Sequence, residues 1–536
     1  MSASLPIPHA RPPASIWPGG TPPTYERRRP EEGTLHRVVR ENLRTLYSAA
    51  EEGFAGAPLP GFVRAELEGY VECGLLQRGF ALIACRDCPE RRLVAFSCRS
   101  RSFCPSCMGR RMAATTLNLL DHVVPRVGLR QFVLTVPHAL RARLAYDGPL
   151  LGAVSRIFVD SVLGWYRRRM EIEGAVAGRS GAVTVVQRTS ADLKLNPHLH
   201  SVLLDGVFVA GPDGGDGKPV FHTLPRISDT AVADLLQIIR TRVMRFLVRR
   251  RVVEADPDAD TMLLPDDLAE RDPALAQLAA AAVSGLPPAG PELRRKPLKI
   301  TLPTGSGPKI VRPLCVDDGG FSLHAATRAG AEDDLGRENL FKYVLRPPIA
   351  QEHVTLTADG LVAVKLKKPF RDGTVSVEMD PLSLISRLAA SVHPPRFHSV
   401  RYGGVLAPHS KWRPLIVPPP PPAAIAAPTD MVAPGCHSLP PGKDTPARPP
   451  NHRCRYRPWH ELMRRCLKID VETCGRCAGK MRLVALVKDA ENIARYLRHL
   501  GLPTDVPPLA PARGPPFWQS TVLRRRYGVP SDAAEA

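Results

Sequence analysis

The chain has no run of about twenty apolar residues, so nothing in it is expected to cross a bilayer. Its N-terminus is proline-rich and has no apolar core of the kind a secretory signal needs, which argues against export. Aromatic residues are scarce, at 6% of 536. Acidic residues are outnumbered as well, 52 against 73 Lys and Arg, for a net charge of +21. That shortage of negative charge points to a polyanionic partner, nucleic acid before a membrane surface. The alternative is a merely solvated arginine-rich exterior. No internal repeat is present. The expected setting is cytoplasmic and nucleoid-associated, with no membrane partner. In that setting twelve cysteines do not read as a disulfide framework but as metal chemistry. The 57 prolines require part of the chain to be linker or tail.

The organisation along the chain follows from composition and periodicity. Residues 1–34 read as a disordered basic tail. A helical pattern starts near Thr34, and a cysteine-dense stretch follows within 35–115. Strands are expected over 130–137, 182–188 and 199–209, with a polar turn between the last two that allows antiparallel pairing. Helices are expected over 150–168, 231–250 and 333–346, the last stopped by Pro347 and Pro348. Residues 254–295 are acidic, then rich in Ala and Pro, and look like an insertion. Short strands are expected at 361–366 and 375–379. Residues 417–455 read as a Pro-rich linker with polyproline II character. A small C-terminal unit (456–505) with a CxxC pair follows, and then a tail (506–536).

Three strings carry chemistry. Cys85-x2-Cys88 is followed by Cys104-x2-Cys107 with fifteen residues between the pairs, the spacing of a four-thiolate zinc site. Each close pair sits on a tight turn, which brings two sulfurs to one tetrahedral ion. The alternative is a set of buried free thiols. Cys98 is a fifth candidate and Cys73 a weaker one. Cys474-x2-Cys477 is a lone pair that His452, Cys454, His460 and Cys466 would be near enough in sequence to complete.

The second string is Asn196-Pro197-His198-Leu199-His200 at the opening of a strand. Strand side chains alternate, so His198 and His200 share one face and Leu199 enters the opposite layer. Two such imidazoles can grip one divalent ion, although H-x-H also arises by chance. Gln187, on the neighbouring strand, is a candidate third ligand. Such a mixed donor set suits Mg²⁺ or Mn²⁺ in phosphoryl chemistry. The third string holds Tyr343, which lies off the apolar stripe of Leu340, Phe341, Val344 and Leu345 and between Lys342 and Arg346. Flanked by cations, it is either a phosphate-attacking nucleophile or an ordinary surface tyrosine on a basic helix. Further along, Arg401 with Lys411, Trp412 and Arg413 either line a strand path, where Trp412 stacks a base, or are core packing and solvated charge.

Taken in order, the strings CRDCPERRLVAFSCRSRSFCPSC, NPHLHSVLLDGVF, LFKYVLRPPIAQE, LKKPFRDGT, HSVRYGGVLAPHSKWRPLIVP and CGRCAGKMRLVALV resemble the rolling-circle transposases of the IS91 family and the related ISCR elements. The resemblance runs from Cys73 to Leu502, without tails and linker. It implies an α+β, multidomain protein in which a small zinc-binding domain precedes an HUH nuclease domain (120–416) with an antiparallel sheet and flanking helices. The expectation is helices on one side of that sheet, with the tyrosine helix beside it. The resemblance implies Tyr343 as nucleophile and His198 and His200 as ligands of Mg²⁺ or Mn²⁺, with Gln187 or Gln351 as the third. It implies structural zinc at Cys85, Cys88, Cys104 and Cys107, with Cys98 as a fifth candidate. Its partner is DNA, especially the single-stranded ends of a transposon, with Lys342, Arg346, Arg401, Lys411, Trp412 and Arg413 along the strand. Some members carry two tyrosines four residues apart. Asn339 and Pro347 occupy those positions here, leaving one. The competing readings are an HUH replication initiator, a catalytically inactive zinc protein that binds DNA, and a structural zinc protein that binds RNA.

Overall fold

The structure is a computed structural model that describes residues 25–211, 218–255, 261–264, 267–288, 298–301, 307–370, 372–417, 458–515 and 517–518. Most of the expected N-terminal tail, the expected linker, His452, Cys454 and the end of the C-terminal tail lie outside the described residues. Along the chain run strands β1 (Phe80–Cys85) and β2 (Arg91–Ala95), helix α1 (Pro105–His122), strand β3 (Leu129–Thr135) and helix α2 (Gly148–Ile172). Then come strands β4 (Gly181–Thr189) and β5 (Leu195–Leu204), helix α3 (Asp229–Arg249), and strands β6 (Lys309–Arg312), β7 (Cys315–Asp318) and β8 (Phe321–His324). Helices α4 (Asp334–Leu345) and α5 (Pro381–Ser391), strands β9 (Val400–Gly404) and β10 (Met481–Val487), and helix α6 (Ala490–His499) follow, with shorter or peripheral elements between them. No helix among the described residues is long and apolar enough to cross a membrane. Two compact units form. Among the described residues the smaller holds 25–31, 72–98 and 458–507, and the larger holds 32–71, 99–417 and 508–518.

The larger unit is built on an antiparallel sheet in the order β6-β7-β8-β3-β5-β4-β9, with Arg328–Ala329 pairing β3 as an eighth strand. Helices cover both of its faces, not one as expected. On one face Phe132, Leu134, Val186, Leu199 and Leu203 pack against Val154, Phe158 and Val162 of α2 and Leu236, Ile239 and Val243 of α3. On the other, Val183, Val185 and Val202 meet Leu119 of α1 and Leu340, Phe341 and Val344 of α4. The reason lies in β3, β4 and β5, which carry apolar residues at both parities, so neither face can be left to water. The fully buried helix α5 packs on helix Pro273–Ser284, itself largely buried.

Local signals set the ends of the elements. Asp333 accepts a hydrogen bond from the Gly336 N–H at 2.8 Å and starts α4. Arg346 then leaves the helical region, as the residue before Pro347 must, and α4 stops. The strand expected over 199–209 divides at Asp205 into β5 and Gly206–Val209. The buried Asp205 carboxylate accepts from Arg130 Nε at 2.8 Å and pairs with Arg328 Nη2 at 2.6 Å. Two guanidinium partners justify a buried carboxylate in place of a ladder residue.

In the smaller unit, β1 is the centre of a three-stranded antiparallel sheet, β10-β1-β2. The C-terminal segment is therefore part of the sheet that begins in the cysteine-dense stretch. Ile493 and Leu497 of α6 close its core against Leu76 and Phe80. Gly79, with φ at +103°, enters β1 where a Cβ would meet the Phe96 ring and the Val487 carbonyl at 2.8 Å, so only glycine fits.

Candidate active site

Strand β5 lies between β3 and β4, and register fixes what faces the histidines. His198 is opposite Thr135 and Gln187, and His200 is opposite Val133 and Val185. Both rings stand on the α4 face with centroids 4.8 Å apart, while Leu199 enters the opposite core. Helix α4 brings Tyr343 to them. Its ring meets His200 edge to face at 5.8 Å, and 46% of the residue remains exposed. Leu340, Phe341 and Val344 are buried on the stripe beside it.

The hydrogen bonds of the two imidazoles bear on a metal. His198 Nδ1 lies 2.7 Å from the Asn196 carbonyl oxygen. A carbonyl only accepts, so Nδ1 carries the proton and Nε2 keeps its lone pair. His200 Nδ1 lies 2.5 Å from the Gln131 side-chain amide. His200 Nε2 is buried with no hydrogen-bond partner among the described residues, and so is Asn196 Oδ1. Asn196 and the two histidines alternate along one face of β5. Asn196 Oδ1 is an orphaned acceptor, and His200 Nε2 offers its lone pair once the Gln131 amide turns its oxygen to accept from Nδ1–H, so the donor set fits a divalent metal. Burial lowers His198 to about 4, against the hydrogen bond to Asn196, and Arg346 and Arg141 push the same way as burial. Burial also holds His200 well below the ordinary imidazole value, helped by His198, Arg346 and His324. Both rings are therefore neutral at pH 7, the form that ligates metals.

Gln187 stands opposite His198, but its amide nitrogen donates to the carbonyls of Tyr343 at 3.1 Å and Val344 at 2.8 Å. It ties the last turn of α4 to β4. Gln351 lies in a short 3-10 turn after α4. Arg346 places its guanidinium 4.7 Å from the Tyr343 ring centroid. Lys342 is paired with Glu338 at 2.6 Å. Arg401 does not join them. It pairs in register with Thr184, whose side chain points away from the histidine face, and it packs on Gly152 of α2. Trp412 is half-buried against the core beneath α4, under the Arg179 guanidinium at 5.0 Å. Arg413 lies 5.6 Å from the Tyr402 ring and donates to the Leu406 carbonyl, and Lys411 is exposed. Sequence reasoning missed Gln131, although the alternation of β3 puts it on the histidine face with Val133 and Thr135. It also missed Asn196, which the same alternation places with His198.

The cysteines assemble differently from the expected quartet. Cys85 and Cys88 meet Cys474 and Cys477, and all four sulfurs lie within 4.8 Å of one another. Cys85 and Cys477 sulfurs are 3.5 Å apart, and those of Cys88 and Cys474 are 3.6 Å apart. Around one tetrahedral zinc the sulfurs would sit roughly 3.8 Å apart, given Zn–S bonds of about 2.3 Å. The Asp87 N–H points at Cys85 Sγ and the Arg476 N–H at Cys474 Sγ, both at 3.4 Å, the paired turns that stabilise thiolates. Cys104 and Cys107, at the start of α1 in the larger unit, are not part of this quartet. The correction has a physical cause. Cys85 and Cys88 lie at the end of β1, and the strand that pairs there is β10, which follows Cys474 and Cys477 in sequence. His460, once a candidate partner, is 3.8 Å from Glu472 instead. A thiol quartet with this chemistry supports structural zinc.

Two family models match the chain. One, described as "Transposase zinc-binding domain", covers residues 46–136, and the other, described as "Putative transposase", covers residues 181–413. No curated protein and no solved structure matches it. The first match spans the cysteines from Cys73 to Cys107. The second begins with β4 and takes in the histidine strand and the tyrosine helix. A transposase acts on DNA, which supplies the polyanion that the charge balance calls for. In their order and in the chemistry they cover, the two matches are those of an IS91-family transposase with an N-terminal zinc-binding domain.

Proposed function

We propose that the larger unit cuts and rejoins single-stranded DNA at the ends of a rolling-circle element, through a covalent 5′-phosphotyrosine on Tyr343. One observation carries this reading. Tyr343 and His200, distant in sequence, meet at 5.8 Å beside an imidazole nitrogen that has no hydrogen-bond partner among the described residues. His198 and His200 would hold a divalent ion, and Asn196 Oδ1 is the third donor on their face. Gln187 is the weaker choice, because its amide is committed to α4. When bound, Mg²⁺ or Mn²⁺ would polarise the scissile phosphate and stabilise the leaving 3′-oxygen.

The chain's own groups do the rest. Tyr343 Oη attacks phosphorus, the Oη–P bond forms as the P–O3′ bond breaks, and the proton lost by the phenol is regained at the 3′-oxygen. The ester is conserved in the phosphotyrosine, so rejoining needs no energy source. Arg346, seated over the Tyr343 ring, offsets negative charge on the phosphate. Gln187 fixes the end of α4 and with it the approach of the phenol. One nucleophilic tyrosine per chain limits each subunit to one covalent strand at a time.

The test is incubation with labelled single-stranded DNA from the element's ends and Mn²⁺, read as an adduct that survives denaturation. Wild type forms it, and Tyr343→Phe forms none while binding DNA with nearly unchanged affinity. An adduct in Tyr343→Phe would move the nucleophile elsewhere. Bound DNA with no adduct in either protein, on a panel of strands, would favour a DNA-binding protein without this chemistry.

A further inference from the structure

Beside the tyrosine helix the larger unit has a second concave feature, a cavity of about 160 Å³. One wall is the strap after α4, and another is the segment of β4 and its turn from Gln187 to Ala191. Lys365 and Lys367 project from the end of strand Val362–Lys365 and the turn after it. Arg101 reaches in from the segment before α1, and Arg346 belongs both to this cavity and to the Tyr343 ring. No Asp or Glu is among the lining residues. Glu352 acts on Lys367 from outside the lining, while burial and Arg346 lower the lysine's affinity for its proton. Two neighbouring cations that disfavour each other are poised for an anion.

The position of Arg101 is built, not incidental. Arg99 takes a left-handed conformation with φ at +58°. Arg111 donates to the carbonyls of Arg99 and Ser100, and Glu66 accepts from the Ser100 hydroxyl at 2.5 Å and from the Arg101 N–H at 3.2 Å. Those bonds hold the loop and leave the Arg101 side chain exposed at the cavity. Arg188 also lines the cavity, but its guanidinium is buried and donates to the carbonyls of Ser391, Ala145 and Ala390, so it shapes the wall and binds nothing further. The lining also includes the apolar side chains of Leu345, Pro347, Ile349 and Val364.

Cations around an apolar wall match a single nucleotide, with its phosphate on the charges and its base on the apolar surface. We propose that this cavity is the subsite for the nucleotide that flanks the phosphate attacked by Tyr343, held through Arg101, Lys365 and Lys367. The inference rests on the reading above that single-stranded DNA is the substrate. The subsite is continuous with the nucleophile because Arg346 touches both. It positions the strand so that the adjacent phosphate meets the phenol.

The experiment measures binding, so it does not depend on cleavage. The full chain carrying Tyr343→Phe is titrated with end-derived single strands that bear one neutral methylphosphonate at each position in turn. The same series is run with Lys365→Ala and Lys367→Ala added. Both lysines are exposed, and an unchanged thermal midpoint confirms that the double variant folds. At one position the neutral linkage weakens binding about tenfold, on the order of one lost charged contact, and at that position the lysine variant shows no further loss. The salt dependence of the lysine variant falls by roughly 0.7 for each phosphate contact removed. Equal losses in both proteins at every position would overturn the proposal. Where the wild-type cut is mapped, the sensitive phosphate is next to it, and a sensitive phosphate elsewhere also overturns it. Coupling without any adduct would leave the subsite standing and sink the phosphotyrosine reading. An adduct without coupling would do the reverse.

Discussion

The thiol quartet of the smaller unit and the histidine face of the larger one are both assembled from short donor pairs, and they differ in where the partners come from. His198 and His200 are adjacent on one strand, and what faces them is set by the register of β3 and β4. Cys85 and Cys88 are completed by Cys474 and Cys477, nearly four hundred residues on, because β10 pairs with β1. A pair within one strand is written in local spacing. A pair that closes a long loop is written in topology, which spacing does not encode.

The largest effect that would break this contrast is on the quartet. Cys474→Ser with Cys477→Ser should remove one zinc per chain and unfold the smaller unit, because a structural zinc site is worth on the order of 10–16 kcal/mol. Removing residues 458–507 should have the same effect on metal content, although the N-terminal zinc segment is left intact. Metal analysis and limited proteolysis read both. Undiminished zinc in either protein would return Cys85 and Cys88 to Cys104 and Cys107.

A smaller effect sharpens the histidine side. Asn196→Ala should raise the Mn²⁺ concentration for half-maximal adduct by roughly tenfold, the scale of a lost ligand or orienting group. Gln187→Ala should leave that concentration unchanged. It should slow adduct formation and lower stability by about 1 kcal/mol for each hydrogen bond lost from the end of α4. If the metal requirement shifts with Gln187→Ala and not with Asn196→Ala, Gln187 is the ligand and the tie to α4 is incidental.

Much of the larger unit was legible in the sequence. The helices near 150–168, 231–250 and 333–346 form within a few residues of their expected ends, and Pro347 stops α4. The shared face of His198 and His200 follows from alternation alone, and so does the burial of Leu199. Three features were not legible. Apolar residues at both parities in β3 to β5 demanded helices on both faces, but periodicity does not say which helices. The strand 199–209 hid Asp205, whose burial depends on Arg130 and Arg328 from elsewhere in the fold. Arg401 and Trp412 are basic and aromatic neighbours in sequence, yet pairing parity turns Arg401 toward α2 and packing takes part of Trp412 into the core. Composition shows that such residues are present, and only register shows which way they face.

A further effect concerns acid. Burial, the largest cause in each case, holds His198 at about 4 and His393 at about 3, and keeps His200 well below an unperturbed imidazole at 6.5. Below pH 6.5 the unfolded chain takes up protons at these rings and the folded chain does not. The stabilisation they give is complete above 6.5 and is lost as pH falls toward 4, with the sign set by the greater proton uptake of the unfolded state. At pH 5 each ring should cost roughly 1–2 kcal/mol, from 1.36 kcal/mol per pH unit. Denaturation of metal-free His198→Ala, His200→Ala protein at pH 7 and pH 5, beside wild type, isolates the pair, and the variant should lose less stability on acidification. An equal loss would mean that the acid sensitivity lies with His393 or other groups and that the histidine face is not held neutral by burial. Its readiness for a metal would then rest on the partnerless atoms His200 Nε2 and Asn196 Oδ1.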